Sequence, residues 1–355
     1  MKPKKVAIIA EWLTWRGGAE SVVDALLEAF PEADLFTTAY NDKKLPEYKS
    51  KHPRVSFLDK IPVVRHKHQL VPPLLLKAIE SLDLSGYDLI ISSSSAIGKG
   101  IKKPKNCIHV CYCHTPMRYV WQPELDNRLV RIPFGKFFLN YLKKWDLKSN
   151  KSVDYFLTNS NFTKDRIRRC YNREAEVIYP PVDIEDKFKI SKKSDFYLCL
   201  GRLIPYKMVD LAVQACNELG KQLIVAGDGP DSNKLKSEAN ENIKFTGRVS
   251  NSQKNDLLQK AKALIFPAEE DFGIVPVESM SHGTPVIAYS KGGVIESVID
   301  KKTGIFFNKQ TVSSLKEAIR EFEKTKFDTQ KIRDHSLGFS KSRFINEIKD
   351  FIYKI

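Results

Sequence analysis

The chain has 355 residues, 42% of them hydrophobic and 28% charged; that balance excludes a disordered or fibrous protein, and the length exceeds what one core usually serves. Its 58 lysines and arginines against 43 acidic residues give a formal net charge of +15, which predicts attraction to polyanions such as nucleic acid, anionic lipid or phosphorylated small molecules without choosing among them. No apolar run approaches the roughly 20 residues of a membrane span, and the six cysteines form no Cys-x-x-Cys pair, so reduced core cysteines, a cytoplasmic setting and membrane contact only at the surface are expected.

Val6-Ala7-Ile8-Ile9-Ala10 reads as a first buried strand, and residues 15–20 as the loop into a helix that carries Val22, Val23, Leu26, Leu27 and Phe30 at helical spacing. Gly17 and Gly18 at this turn let backbone approach an anion closely, although the sequence is not Gly-x-Gly-x-x-Gly and carries no dinucleotide fingerprint. Residues 34–38 and 54–58 predict short strands, and 87–92 a stronger one ending in Ser93-Ser94-Ser95. Between them, Arg65-His66-Lys67-His68 precedes an apolar patch at 70–76 that is expected to be exposed.

Residues 107–113 predict a strand that runs straight into His114-Thr115-Pro116-Met117-Arg118-Tyr119, a polar turn on the edge where parallel sheets bind ligands. Cys111, Cys113 and His114 do not make a metal site, because no fourth ligand follows at zinc-site spacing. Over 128–151, Phe134, Phe137, Phe138, Tyr141, Leu142 and Trp145 alternate with Arg131, Lys136, Lys143, Lys144 and Lys148. Two readings stand for this helix: a basic aromatic face for the headgroups of an anionic membrane, or an ordinary helix that buries its aromatics and solvates its lysines. A strand at 153–160 and a helix from Thr163 follow, and Pro180-Pro181 forces extended backbone at the close of the first half.

The alternation then restarts. Strands are expected at 196–200, 221–226, 243–249, 263–266, 285–288 and 304–307, with helices at 209–219, from Ser313 and at the C-terminal end. Strands alternating with helices imply parallel sheets. The expected division is 1–182, a linker at 183–195, 196–338, and a last helix at 339–355 that crosses back to the first domain. In the second half, loops after strands present Arg202 and Lys207, then Gly227-Asp228-Gly229, then Arg248, and last the stretch from Glu270 to Glu278. Two cations with helix-start N–H groups suit a diphosphate, and carboxylates accept from hydroxyls.

Glu270 and Glu278, separated by seven residues, flank Phe272-Gly273-Ile274-Val275-Pro276-Val277, with Pro276 placed in the first turn of a helix that starts there. This segment resembles the signature of retaining glycosyltransferases of family 4. The His114 run resembles a bacterial subset of that family described as mannosyltransferases. The resemblance spans nearly the whole chain and is strongest over 196–296. It implies a GT-B fold of the α/β class: two Rossmann-like parallel-sheet domains facing across a cleft, the first binding acceptor and the second the nucleotide sugar.

By the same resemblance Arg202 and Lys207 bind the donor diphosphate, Glu270 the transferred sugar and Glu278 the ribose hydroxyls. Backbone at Phe272, Gly273, Ile274 and Val275 meets sugar and phosphate oxygens, and backbone at Arg248 and Val249 frames the base. Gly17 and Gly18 approach the diphosphate, and His114 contacts a hydroxyl of the transferred sugar. One departure from the family pattern is that the usual Lys-Gly is Lys207-Met208.

No Asp-x-Asp occurs in the chain, so neither a metal nor another cofactor is expected. The implied activity is retaining, metal-independent transfer of a hexose, with mannose from GDP-mannose as the leading donor. The acceptor would be a growing glycan, lipid-linked or carried on polyprenyl diphosphate, at the inner face of a bacterial membrane, as in O-antigen or other surface polysaccharide synthesis. A GT-B nucleotide-sugar epimerase is the alternative enzyme. A basic nucleic-acid-binding protein is the alternative of another class, and it is disfavoured because the basic residues are dispersed and no nucleic-acid motif appears.

Overall fold

The computed structural model describes residues 5–61, 64, 72–123, 135–185 and 191–355. The chain divides into two compact units, Met1–Pro181 with Ser342–Ile355, and Val182–Lys341. The 65–68 basic cluster, the start of the 128–151 segment and part of the 183–195 segment lie outside the described residues.

The first unit is built on a parallel sheet of β1 (Val6–Ala10), β2 (Asp34–Thr37), β3 (Arg54–Val55), β4 (Leu89–Ser94), β5 (Ile108–Cys113), β6 (Tyr155–Thr158) and β7 (Ala175–Val177), in the order β3-β2-β1-β4-β5-β6-β7. Its central strands carry apolar runs, such as Val6–Ala10 and Leu89-Ile90-Ile91, because both faces are covered. Ile8, Leu89, Ile91, Val110 and Tyr112 point into one core, and Ala7, Ile9 and Ile90 into the other. The first core takes Val22, Val23, Leu26 and Leu27 from the helix Gly18–Ala29. It also takes Phe344, Ile348, Phe351 and Ile352 from the helix Lys341–Lys354, whose i, i+4, i+7, i+8 spacing makes one apolar stripe. The chain's end is thus part of the first unit's core, while Leu337, Gly338, Phe339 and Ser340 stay with the second.

The second unit repeats the plan with β8 (Tyr197–Leu200), β9 (Leu223–Ala226), β10 (Ile243–Gly247), β11 (Ala263–Phe266), β12 (Val286–Tyr289) and β13 (Gly304–Phe307), again all parallel, in the order β10-β9-β8-β11-β12-β13. Helices Val209–Leu219 and Val312–Lys324 share its core through Leu211, Cys216, Leu315 and Ile319. Each sheet reverses its order once, between β1 and β4 and between β8 and β11. Connections leave such a pair in opposite directions, which opens a crevice at the strands' C-terminal ends.

Three local expectations are corrected. The strand expected at 54–58 stops at Val55, because the Ser56 hydroxyl accepts from the Leu58 N–H (3.2 Å) and starts a 3-10 turn, Phe57–Lys60. The apolar patch is not exposed as a whole: in the helix Pro72–Glu80, Leu75 and Leu76 are buried in the core and Leu74 is left at the surface. The helix expected to start at Pro276 starts two residues earlier, at Ile274, after Gly273 turns the chain with a φ of 87°. All six cysteines are free, and five of them are buried.

Two buried polar groups fasten the first unit. Lys99, in the loop after β4, is paired with Asp146 of the helix Gly135–Ser149, and both are essentially out of solvent. The indole N–H of Trp121 donates to the other Asp146 oxygen at 2.7 Å. Burial works against the Lys99 charge, and Asp146 outweighs it, so the lysine's pKa stays above its ordinary value. Asp146→Ala is expected to destabilise by about 3–5 kcal/mol because it strands a buried cation, whereas Lys99→Met with Asp146→Leu regains most of the loss. Denaturant unfolding of the two variants measures this, and equal losses would contradict it.

His109 on β5 is fully buried, its Nδ1 3.0 Å from the Ser152 carbonyl and its Nε2 2.8 Å from the Ser92 hydroxyl. Burial pushes its pKa from 6.5 down to about 4. A folded-state value below the unfolded one means that the unfolded chain takes up the proton first. The contribution is therefore complete above pH 6.5 and is lost as pH falls towards about 4, to the extent of about 3 kcal/mol. Unfolding free energies measured across that window should fall in the wild type, with this part of the slope missing in His109→Asn.

Candidate active site

A set of polar groups lies at the second unit's switch point. After β8 the chain passes Gly201 and Arg202 and enters the 3-10 turn Pro205–Lys207; after β11 it runs from Pro267 to Gly273 before the helix Ile274–Ser281. Lys207 Nζ donates to Glu270 Oε1 across this point, and each side chain keeps about a fifth of its surface exposed, 21% and 19%. A small solvent-open recess is lined by Gly201, Arg202, Lys207, Phe266 and Pro267. Arg202 itself is exposed.

These loops are held by backbone pressed on backbone. Leu203 N–H donates to the Asp228 carbonyl at 3.1 Å, and Gly201 N–H to that of Ala226 at 3.0 Å. Gly227, with a φ of 141°, lies so close to the Gly201 carbonyl that no side chain fits between them. On the other flank Gly293 N–H donates to the Glu270 carbonyl at 2.8 Å, and Gly292, with a φ of 86°, lies against the backbone of Glu270. Both glycines therefore answer to close approach as well as to left-handed backbone. Met208, where the family pattern has glycine, still adopts the left-handed conformation (φ 52°, ψ 35°), at a cost of about 1–2 kcal/mol. Its side chain packs against the core of the unit.

Glu278 sits in the second turn of the helix Ile274–Ser281 and pairs with Lys254 of the helix Asn251–Lys260 at 2.6 Å. Each glutamate of the motif thus carries its own lysine. Lys254 was not foreseen, and the only sequence signal for it is its place in the first turn of the helix that follows Arg248-Val249. Phe272 is buried and its ring meets Phe339 at 5.8 Å, so its side chain serves packing. Gly273, Ile274 and Val275 form the helix start, where N–H groups have no partner within the helix. Arg248 is exposed, 3.8 Å from the Asp228 carboxylate, whose pKa the Ser232 hydroxyl and the Gly229 N–H hold down. Val249 is half-buried beside it. Lys207 is thus brought to Glu270, with Arg202 lining the same recess as Lys207; Glu278 lies on the helix that follows, and Arg248 and Val249 on the loop after β10, two strands from β8.

In the first unit Gly17, Gly18 and His114 follow β1 and β5. His114 Nε2 is 2.8 Å from the Ser93 hydroxyl, its N–H donates to the Ser94 carbonyl at 2.8 Å, and its carbonyl accepts from Asn159 at 3.0 Å. Gly17 N–H is donated to the Glu20 carboxylate at 2.7 Å, and burial raises the pKa of that carboxyl. An anion arriving at this helix start meets Glu20 as well as backbone.

Glu11, directly after β1, was also missed. It is buried and accepts from the Ser95 hydroxyl (2.9 Å) and from the N–H groups of Ala96 (2.6 Å) and Gly98 (2.7 Å). It thereby fixes the loop after β4 at the first unit's switch point. A lone acid at the end of an apolar strand was the available signal.

The family model for Glycosyltransferase Family 4 matches residues 16–186, and that for Glycosyl transferases group 1 matches residues 183–336. The glycosyltransferase MJ1178 of Methanocaldococcus jannaschii is 23% identical over 350 residues, 95% of this chain and 93% of that protein. The alpha-1,3/1,6-mannosyltransferase ALG2 of Dictyostelium discoideum is 29% identical over 329 residues, 77% of this chain and 75% of its own. The Kluyveromyces lactis ALG2 is 28% identical over 245 residues, and the match spans 47% of its length and 53% of this chain.

Among solved structures, Anabaena HepE, crystallised with UDP and glucose, superposes with a TM-score of 0.72 at 19% identity and 99% coverage of this chain and 100% of that one. The lipopolysaccharide outer core galactosyltransferase WaaB does so at 0.70 and 18%, with 99% of each chain covered. These likenesses establish the fold as GT-B. Matched in both units, the chain belongs to the family 4 glycosyltransferases.

Proposed function

We propose that this glycosyltransferase moves a hexose, in the leading reading mannose from GDP-mannose, onto a growing lipid-linked glycan with retention of configuration and without a metal ion. The observation that carries the reading is the Lys207–Glu270 pair, with Arg202 and Lys207 lining one recess. A diphosphate there meets an ammonium and a guanidinium, and a sugar linked to it meets a carboxylate that accepts from hydroxyls. Glu278 takes the ribose, Gly273, Ile274 and Val275 with Phe272 offer backbone N–H groups, and backbone at Arg248 and Val249 frames the base.

His114 contacts a hydroxyl of the transferred sugar, and Gly17 and Gly18 approach the diphosphate. Similarity to mannosyltransferases supports mannose, and a structural neighbour crystallised with UDP-glucose supports a nucleotide sugar. No helix among the described residues is long and apolar enough to cross a membrane; the proposed place of action is the inner membrane surface.

In the proposed step the bond from the sugar's anomeric carbon to the phosphate oxygen breaks, and the acceptor oxygen bonds to that carbon on the same face. The acceptor's proton passes to the departing phosphate. Negative charge grows on the diphosphate as the sugar leaves, and Arg202 and Lys207 are the cations set to stabilise it.

Lys207→Ala and Glu270→Ala are each expected to lower kcat about a hundredfold or more with little change in thermal unfolding. Glu278→Ala is expected to act mainly through the donor KM. Full turnover in both of the first two variants would refute the assigned roles. A thermal-shift series with GDP-, UDP-, ADP- and dTDP-sugars tests the donor. GDP-mannose at about a hundred times its Kd should stabilise the protein by about 2.7 kcal/mol. A larger shift with another base would replace the donor, and no shift with any would overturn the reading.

A further inference from the structure

The helix Gly135–Ser149 has two apolar sides. Phe138, Leu139, Leu142 and Trp145 face the core of the first unit. Phe137 is 79% exposed, the most exposed large hydrophobic side chain among the described residues, and Tyr141 and Leu147 are also at the surface. Phe137, Tyr141, Lys144 and Lys148 follow the i, i+4, i+7, i+11 spacing of one outward stripe, with Lys136 and Lys143 beside it. All four lysines are exposed, and Lys143 lies 4.5 Å above the Trp121 ring. The helix has one acid, Asp146, and it is buried against Lys99. Its outer surface therefore carries aromatic rings and positive charge with no compensating carboxylate of its own.

We propose that this face docks the first unit on an anionic lipid bilayer. Aromatic rings enter the headgroup boundary while lysines reach phosphates on flexible stems. Each lysine near such a surface strengthens binding by about fivefold. A second copy of the chain is a poorer occupant, because a two-fold contact sets the same patch against itself and brings lysine to lysine.

Topology gives the docking a direction. The helix lies between β5 and β6, which are parallel neighbours, so it runs back against the strands. Phe137, in its first turn, is therefore nearest the edge that carries Gly17, Gly18 and His114. The use of that edge for a lipid-linked acceptor rests on the proposed function; the docking does not.

Co-sedimentation of the full chain with phosphatidylcholine vesicles, with and without phosphatidylglycerol, tests the proposal. Binding is expected only with phosphatidylglycerol, weakened about tenfold or more in Phe137→Ser/Tyr141→Ser and lost in Lys144→Glu/Lys148→Glu. Thermal unfolding and donor hydrolysis should match the wild type in both variants. Failure of the wild type to bind, equal binding by the variants, or a dimer in light scattering that Phe137→Ser/Tyr141→Ser dissociates would each overturn it. Vesicle binding by a protein that turns over no nucleotide sugar would leave the docking intact and remove the proposed function instead.

Discussion

Lys207 and Glu270 come from loops that follow β8 and β11, neighbouring strands that are far apart in the chain. Only the reversal of strand order between them brings the two side chains within reach, and a charge pair at that point needs both loops fixed to within about half an ångström to be of chemical use. The fixing comes from backbone. Gly227 admits the Gly201 carbonyl, Gly292 admits that of Glu270, and hydrogen bonds tie each loop to the next. The polar site is thus a consequence of close-packed main chain around a parallel-sheet edge, and its side chains are supported from beneath by backbone.

The first unit uses the same topology with a different fastening. Its switch point between β1 and β4 is closed by the Glu11 carboxylate, which gathers N–H groups of the following loop. Its outer layer is fastened by Lys99, Asp146 and Trp121. Ser93, in the strand that leads into the Glu11-bound loop, orients His114. A carboxylate at one turn therefore reaches a histidine at another through one strand end, which gives the edge a defined geometry before any ligand arrives.

The sequence made the architecture legible because the central strands sit between two covering layers and read as apolar runs, as at Ile8 and Ile9 or Leu264 and Ile265. The glutamates of the motif and the cations after β8 were legible through their spacing and family resemblance. Lys254 and Glu11 were not, because each acts through a partner remote in sequence, and their local signals, a place in a helix's first turn and a lone acid after an apolar strand, do not name that partner. A serine cap stopped the strand at Val55, and the phase of a helix buried Leu75 and Leu76, where composition alone predicted otherwise. The aromatic helix was legible as amphipathic, but which rings faced outward depended on a core that the sequence does not display.

A crystal structure of the protein with GDP bound tests the central claim most directly. The account predicts the β-phosphate within hydrogen-bond distance of Arg202 and Lys207, with Glu278 on the ribose hydroxyls and Lys207 drawn from Glu270 towards the phosphate. Nucleotide bound away from the β8–β11 switch point, or at that point with no contact to Arg202 or Lys207, would contradict it.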